Sequence, residues 1–253
     1  MSALSPTSCD PWLTASFAAF RHARGHEAPL PPETADQRDA LCAAVCQGDL
    51  ARAEAICQAH AHAHPTGPSG LSALVLPTVY RIEQDWQTDQ RSYADTLFAF
   101  WNLQRLVQRL DVLASARTPA TAGASGGRIL LATAPGEVHQ LGVLVVGDLF
   151  RSHGWHASTL IAERAEVLLQ AVQDEALDVL GLSVGHDATL QGLADLLRRL
   201  RACSRHPGLQ IVLGGNVFGA PVRQYDWLGA DHIALSATDA LQFCAAVRRP
   251  QAH

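Results

Sequence analysis

The chain has 253 residues, enough for two modest domains, and its 48% hydrophobic and 17% charged residues are typical of a globular protein. The net charge is −5 and the 19 basic residues are all arginine, which argues against direct nucleic-acid binding because phosphate neutralisation needs clustered Lys and Arg. No apolar run approaches about 18 residues and Met1 opens no leader pattern, so we expect a cytoplasmic protein without a membrane partner.

The six cysteines are scattered and include no Cys-x-x-Cys pair. In the cytoplasm we expect them to stay reduced. Cys42 and Cys46 lie four residues apart on a predicted helix, and we expect both to be core thiols.

The first half of the chain predicts helices, in the segments Trp12–Arg24, Thr34–Gln47, Leu50–His64, Leu71–Thr88 and Ser92–Ala116. The last four have short connections, which favours a bundle. Apolar residues of the final helix repeat at three- and four-residue steps and predict a buried stripe of Leu97, Trp101, Leu103, Leu106, Leu110 and Leu113.

A change of composition divides the chain after this bundle. Residues 117–127 are small or proline-rich and predict a flexible linker. We therefore expect a helical bundle at 1–116, a linker at 117–127 and a second domain at 128–253.

In the second domain, strand and helix patterns alternate. The predicted strands are Arg128–Thr133, Trp155–Leu160, Val179–Ser183, Gln210–Leu213 and His232–Leu235, with helices beginning near Gln140, Glu163, Thr189, Phe218 and Thr238. This alternation predicts a Rossmann-like, five-stranded parallel sheet in the flavodoxin-like order 2-1-3-4-5, so that the whole chain is an α plus α/β protein. In that order ligands bind at the carboxyl ends of strands 1 and 3.

Other ligands of this fold are excluded by specific residues. A phosphorylated receiver domain needs an aspartate where Ser183 stands and a lysine that the chain lacks. A flavodoxin needs a Ser/Thr-rich loop after strand 1, and the loop 133–137 is a poor substitute. No Gly-x-Gly-x-x-Gly follows strand 1, which argues against a dinucleotide site.

Three short motifs stand at the predicted strand ends: Glu137-Val138-His139-Gln140-Leu141-Gly142, Ser183-Val184-Gly185 and Gly214-Gly215. Together they resemble the Asp-x-His-x-x-Gly, Ser-x-Leu and Gly-Gly set of cobalamin-binding domains. The resemblance implies bound cobalamin, as hydroxo- or adenosylcobalamin. It makes His139 the lower axial ligand of cobalt, and Glu137 the carboxylate that orients His139 in place of the family's aspartate.

The same resemblance assigns the other contacts to the cofactor. Ser183 hydrogen-bonds the benzimidazole of the nucleotide tail, and the two glycines let a planar ring approach the backbone. Gly185 replaces the family's leucine, which we expect to widen the pocket. The remaining expected contacts are Val138, Gln140, Leu141, Gly142, Val184, Asn216 and Ser236.

The helical half resembles the four-helix bundles that cap the upper face of the corrin in cobalamin-binding regulators. Trp86 and Trp101 are its candidate contacts with the corrin. In photoreceptors of this type a Glu-His pair follows the tryptophan, but Thr96 and Leu97 stand at that position. An upper histidine ligand is therefore missing there.

At a finer level, residues 182–190 and 204–215, with Trp86 and Trp101, are similar to the AerR/PpaA-type antirepressors of photosynthesis genes and to a related heme-binding domain; the resemblance covers about residues 70–250. The resemblance implies a light or redox sensor that is not an enzyme and acts through a DNA-binding transcriptional repressor. Two alternatives stay open: a corrinoid methyl carrier of a methyltransferase system, and a heme sensor that uses the same pocket.

Overall fold

The computed structural model describes residues 32–64, 71–117, 126–137, 140–219 and 225–247. The chain divides into two compact units, of which one contains the helices before residue 118 and the other contains the sheet. The predicted segment Trp12–Arg24 and most of the predicted linker lie outside the described residues. Within the described part of the chain, no helix is long and apolar enough to cross a membrane.

The helical unit contains α1 (Pro32–Gln47), α2 (Leu50–Ala63), α3 (Leu76–Gln87) and α4 (Tyr93–Arg117). Asp49 begins α2, because its side chain accepts a 3.0 Å hydrogen bond from the Arg52 N–H. The predicted helix Leu71–Thr88 starts as a π-helical turn, Leu71–Val75, before α3. Pro77 lacks an N–H and cannot continue a regular α-helical hydrogen-bond pattern, which accounts for the wider turn.

The buried stripe of α4 differs from the predicted one. Trp101 is 55% exposed, and the Arg105 guanidinium lies 4.7 Å from the centre of its ring. The buried residues are Thr96, Ala99, Phe100, Asn102, Leu103, Leu106 and Val107. These positions follow the helical period and exclude residue 101, so the placement of Trp101 in the core was wrong.

The second unit is a five-stranded parallel sheet in the order β2-β1-β3-β4-β5, which confirms the predicted order. The strands are β1 (Arg128–Thr133), β2 (His156–Leu160), β3 (Val179–Ser183), β4 (Gln210–Gly214) and β5 (His232–Ile233). The helices are α5 (Leu141–Ser152), α6 (Ala165–Asp174), α7 (Asp187–Leu190), α8 (Leu193–Cys203) and α9 (Ala237–Val247).

Near the end of the chain, one predicted helix was wrong and one predicted strand is shorter than expected. In place of a helix near Phe218 there is a 3₁₀ turn, Asn216–Gly219, because Pro221 disfavours helix in the residues before it. Strand β5 ends at Ile233, and the Leu235 N–H donates instead to Asp239 Oδ2 at 2.9 Å. That hydrogen bond turns the chain into α9.

The helices pack on opposite faces of the sheet. Val143 and Phe150 of α5 and Cys244 of α9 belong to one apolar cluster, which also contains Ile129 of β1. Residues of α6 and α8 form the other cluster, on the opposite side of the sheet. The helices that follow β1 and β3 therefore leave the sheet in opposite directions, which opens a crevice at the carboxyl ends of these two strands.

Candidate functional site at the carboxyl edge of the sheet

Two of the predicted site residues, Ser183 and Gly214, stand side by side at this crevice, next to the end of β1. Thr133 at the end of β1 pairs with Ser183 at the end of β3, and Ser183 pairs with Gly214 at the end of β4. The motifs that the sequence places at strand ends are therefore neighbours in space.

The loop after β1 is fixed by hydrogen bonds to the adjacent strands. The Ala134 N–H donates to Ser183 O at 2.9 Å, and the Ala162 N–H donates to Thr133 Oγ1 at 2.9 Å. Gly136 has a φ of +77°, a conformation that suits glycine, and a 3.0 Å hydrogen bond from Glu137 N to Ala134 O closes the turn. This turn directs Glu137 back toward β3.

The Glu137 side chain is fully buried, with 0% of its surface exposed. Its Oε2 accepts a 2.7 Å hydrogen bond from the Gly185 N–H, which joins the loops after β1 and β3. Its Oε1 lies 3.9 Å from His186 Nε2, on a side chain that is 45% exposed. His186 was not among the predicted site residues, although its position directly after the Ser-Val-Gly motif places it at this edge.

Gly185 does not widen the pocket toward the first loop, contrary to the expectation from its replacement of leucine. A Cβ at this position would lie 2.9 Å from Glu137 Cδ and 3.0 Å from Oε1. The space that a larger residue would take is therefore occupied by the Glu137 carboxylate. Glycine at 185 and the longer glutamate at 137 fit each other.

The histidine loop continues into the first turn of α5. Val138 and His139 lie outside the described residues. Gln140 precedes the helix without a side-chain capping hydrogen bond, and Leu141 is buried. A Cβ on Gly142 would meet no atom of the described residues within 4 Å, so they leave this side of the first turn open.

At the end of β3, side-chain burial separates two predicted contacts. Ser183 is half-buried at the crevice. Val184 is fully buried in an apolar cluster, and its N–H donates to Gly214 O at 2.8 Å. The Val184 side chain therefore does not line the crevice, and only its backbone lies there.

Gly214, the last residue of β4, and Gly215 differ in whether a side chain could be added at their positions. Gly215 has a φ of +115°, and a Cβ there would overlap the backbone of Val184. A Cβ on Gly214 would make only an ordinary 3.7 Å contact with Ala234 O. Asn216 begins the 3₁₀ turn, and its side chain lies outside the described set.

Ser236, the remaining predicted contact in this unit, caps a helix. Its Oγ accepts a 3.0 Å hydrogen bond from the Asp239 N–H, and its carbonyl accepts one from Ala240 N. The hydroxyl is therefore engaged in the first turn of α9.

Trp86 and Trp101 belong to the helical unit. Trp86 is half-buried on α3, and Trp101 is exposed on α4. In the same unit the Nδ1 of the buried His60 ring donates a 2.7 Å hydrogen bond to Gln37 Oε1, and burial followed by the charge of His64 lowers the pKa of His60. Among the described residues, no group of three or more His, Cys, Asp or Glu side chains is arranged to hold a metal ion.

The carboxyl edge fits a corrinoid with a nucleotide tail. Glu137 supplies a buried carboxylate two residues from His139, and such a carboxylate can orient an imidazole through its second ring nitrogen. Imidazole is a suitable ligand for a first-row transition ion. The described residues leave open space beside Gly142, and Ser183 is half-buried at the end of β3.

Comparison with known proteins agrees with this fit. Residues 127–245 match the family described as "B12 binding domain". This segment coincides with the sheet unit and contains all three motifs. Residues 127–245 thus match the B12-binding domain family, in agreement with the predicted family.

Relatives of the chain include an uncharacterized protein, a transcriptional repressor and a corrinoid protein. An uncharacterized 20.5 kDa protein in the bchF-crtJ intergenic region of Rhodobacter capsulatus is 25% identical over 60% of this chain and 77% of its own length. The HTH-type transcriptional repressor CarA of Myxococcus xanthus is 34% identical over 58% of this chain and 56% of its own. Corrinoid protein DSY3155 of Desulfitobacterium hafniense is 28% identical over 47% and 55%.

The chain therefore spans just over half of two of these relatives. A solved structure with the same fold is the Methanosarcina barkeri monomethylamine corrinoid protein, with a TM-score of 0.54 and 18% identity over 84% of this chain and 99% of that one. At this identity the likeness concerns the fold alone, and it confirms the predicted architecture.

Proposed function

We propose that the chain is a cobalamin-dependent sensor in which His139 is the lower axial ligand of cobalt and Glu137 orients it. The observation that carries the proposal is the buried Glu137 carboxylate, fixed by the Gly185 N–H beside the β1–β3 crevice. A buried carboxylate two residues from His139 can accept a hydrogen bond from one ring nitrogen of an imidazole whose other nitrogen binds the metal.

The sensory part of the proposal rests on the relatives. One of them is a transcriptional repressor, and another is encoded next to crtJ according to its printed name. This chain has a net charge of −5 and no lysine, so we propose that it acts through a DNA-binding repressor and not on DNA itself. Light or a redox change alters the cofactor, and the protein then shifts toward the conformation that binds the altered cofactor more tightly.

The first experiment tests cofactor binding. The purified chain is mixed with hydroxocobalamin, desalted and examined by absorption spectroscopy. We expect a bound corrinoid whose spectrum shows histidine ligation, and loss of that signature in His139→Ala. His153→Ala is the matched control, because His153 lies in the same unit and its ring contacts Leu149 O at 2.9 Å. No bound corrinoid in the wild type would reject the proposal.

A second experiment tests the regulatory step. The cobalamin-loaded chain is added, in darkness and after illumination, to a purified repressor bound to its operator. We expect the chain to release the repressor from DNA in one of the two conditions and to show no DNA binding alone. Equal release in both conditions and under both oxidised and reduced buffers would contradict a sensor.

The similarity to a corrinoid protein favours one alternative, a methyl carrier that serves a separate methyltransferase. Methylation of the reconstituted chain by a corrinoid methyltransferase, with no response to light or redox state, would support that function. Reconstitution with heme in the same assay distinguishes the heme sensor, since a Soret band lost in His139→Ala would indicate heme at this site.

A further inference from the structure

Two cysteines of the helical unit face a guanidinium group. Cys42 and Cys46 lie one helical turn apart on α1, so both side chains project from the same face. Cys42 is buried and Cys46 is half-buried. Arg91, in the connection between α3 and α4, donates from Nη1 to Cys46 Sγ at 2.9 Å.

The Arg91 guanidinium is held in place by a buried carboxylate. Its Nη2 lies 2.9 Å from Asp85 Oδ2, and the other Asp85 oxygen accepts a 2.8 Å hydrogen bond from Arg81 Nε. The N–H groups of Gln90 and Arg91 both donate to Asp85 O. Burial alone would raise the pKa of Asp85, but the hydrogen bonds from Arg91 and Arg81 outweigh it and hold that pKa low. The cation beside Cys46 is thus fixed by its own counter-ion.

This arrangement makes the two thiols unequal. The hydrogen bond from Cys42, together with the charge and hydrogen bond of Arg91, outweighs burial and lowers the pKa of Cys46 to about 7. The same hydrogen bond and burial raise the pKa of Cys42. One sulfur therefore favours the thiolate, while its neighbour keeps a proton to donate.

Other cysteines of the chain have different surroundings. The Cys203 thiol contacts the carbonyl oxygens of Leu200 and Leu169 at 3.6 and 3.9 Å. Burial raises the pKa of Cys244 to about 12. The Cys203 thiol contacts carbonyl oxygens and the Cys244 thiol is buried, so both provide internal references for the reactivity of Cys46.

We propose that Cys46 is a peroxide-reactive thiolate and Cys42 its resolving thiol, so that a hydroperoxide converts the pair to a disulfide in the helical unit. The Cys46 sulfur attacks a hydroperoxide: an S–O bond forms, the O–O bond breaks, and the leaving oxygen takes a proton and departs as an alcohol or water. The Cys42 sulfur then attacks Cys46: the S–S bond forms, the S–O bond breaks, and the Cys42 proton leaves with the hydroxyl as water. Two thiols are oxidised and one peroxide is reduced.

The bond requires a local change in α1. Helix geometry places the Cα atoms of Cys42 and Cys46 at about 6 Å, within the usual range for a disulfide, but their Cβ atoms at about 5–6 Å, beyond the usual range of about 3.5–4.5 Å. The turn between the two cysteines must therefore distort as the disulfide forms. Oxidation also removes the anionic sulfur that Arg91 contacts, so the connection between α3 and α4 loses one of its attachments to α1. The site lies within the helical unit and does not depend on the proposed cofactor.

The full chain is treated with hydrogen peroxide at pH 7 and digested for mass spectrometry. We expect a Cys42–Cys46 disulfide in the wild type and, in Cys42→Ser, a sulfenic acid on Cys46 that dimedone traps. Cys203→Ser is the control and should behave like the wild type. Oxidation of Cys203 as fast as Cys46, or a Cys46 disulfide between two chains instead of within one, would overturn the proposal.

The pH dependence of alkylation tests the role of Arg91. We expect Cys46 to titrate near pH 7 in the wild type and higher in Arg91→Gln. At pH 7 the thiolate fraction of Cys46 should be roughly fifteen times that of an ordinary cysteine. A thiolate of lower pKa is also a weaker nucleophile, so we expect Cys46 to be alkylated only roughly three times faster than an ordinary cysteine. Circular dichroism verifies that Arg91→Gln is folded. If Arg91→Gln is not folded, the test rests on the pH dependence of Cys46 alkylation in the wild type. A midpoint of that dependence at about pH 8.5 or above would contradict the proposal.

Discussion

Replacing Gly185 with alanine tests the contact that joins the loops after β1 and β3. The added Cβ would lie 2.9 Å from Glu137 Cδ, so the carboxylate must move away and lose the hydrogen bond from the Gly185 N–H. A hydrogen bond to a charged group contributes about 1.5–3 kcal/mol. We therefore expect Gly185→Ala to lower the free energy of unfolding of the sheet unit by about 2 kcal/mol.

Hydrogen exchange of the β1 and β3 amides measures this change, because two compact units can unfold separately and a single melting curve would mix them. Gly214→Ala is the matched control: its Cβ would make only a 3.7 Å contact, and we expect a change below about 0.5 kcal/mol. Equal destabilisation by the two substitutions would show that the Glu137 contact is not the cause.

A double-mutant cycle separates this contact from general effects. Glu137→Ala removes the carboxylate that the new Cβ would displace, so Gly185→Ala should cost less in that background. We expect a coupling energy of about 1–2 kcal/mol between the two positions. Additive effects would refute the reasoning. The same two single variants should bind hydroxocobalamin about 10–100-fold more weakly if Glu137 orients the cobalt ligand.

Other substitutions distinguish fold from cofactor binding. Gly215→Ala should destabilise the sheet unit by about 2 kcal/mol or more, because its positive φ and the Val184 backbone both oppose a side chain; unchanged hydrogen exchange of the β3 and β4 amides would contradict this. Gly142→Ala should leave stability unchanged or raise it by about 0.5 kcal/mol, whereas Gly142→Phe should weaken cobalamin binding at least about tenfold in a spectral titration. Unimpaired binding by the phenylalanine variant would place the cofactor elsewhere. In the helical unit the low pKa of Asp85 means that its ion pairs stabilise the fold above about pH 4 and stop doing so as pH falls through the lower folded value. Asp85→Asn should remove this acid dependence, and an unchanged pH profile of unfolding would refute it.

Much of the sheet unit follows from local sequence. Strand β1 has the same bounds in prediction and structure, because short β-branched and apolar runs between turn residues form buried parallel strands wherever they pair. The strand order also follows, since alternating strands and helices have few right-handed solutions. These rules do not depend on the detail of side-chain packing.

The helical unit was harder to predict in detail. Trp101 fits an apolar repeat in the sequence, but the buried face of α4 includes Ala99, Leu103 and Leu106 and does not include Trp101. A large aromatic residue fits a three-or-four-residue pattern as well as a small one does, and only the position of the neighbouring helices decides which face is buried. The helix expected near Phe218 was wrong for a related reason, since its apolar residues serve a short 3₁₀ turn.

The sequence by itself determined the strands, their order and the edge at which the three motifs meet, because each depends on local pattern and chain direction. Only the tertiary structure decided that Gly185 makes room for the Glu137 carboxylate, that His186 stands beside it, and that Arg91 faces Cys46. Each of these contacts joins residues more than 40 positions apart, and their distance depends on how helices and loops pack. Residue type and spacing along the chain do not fix such distances.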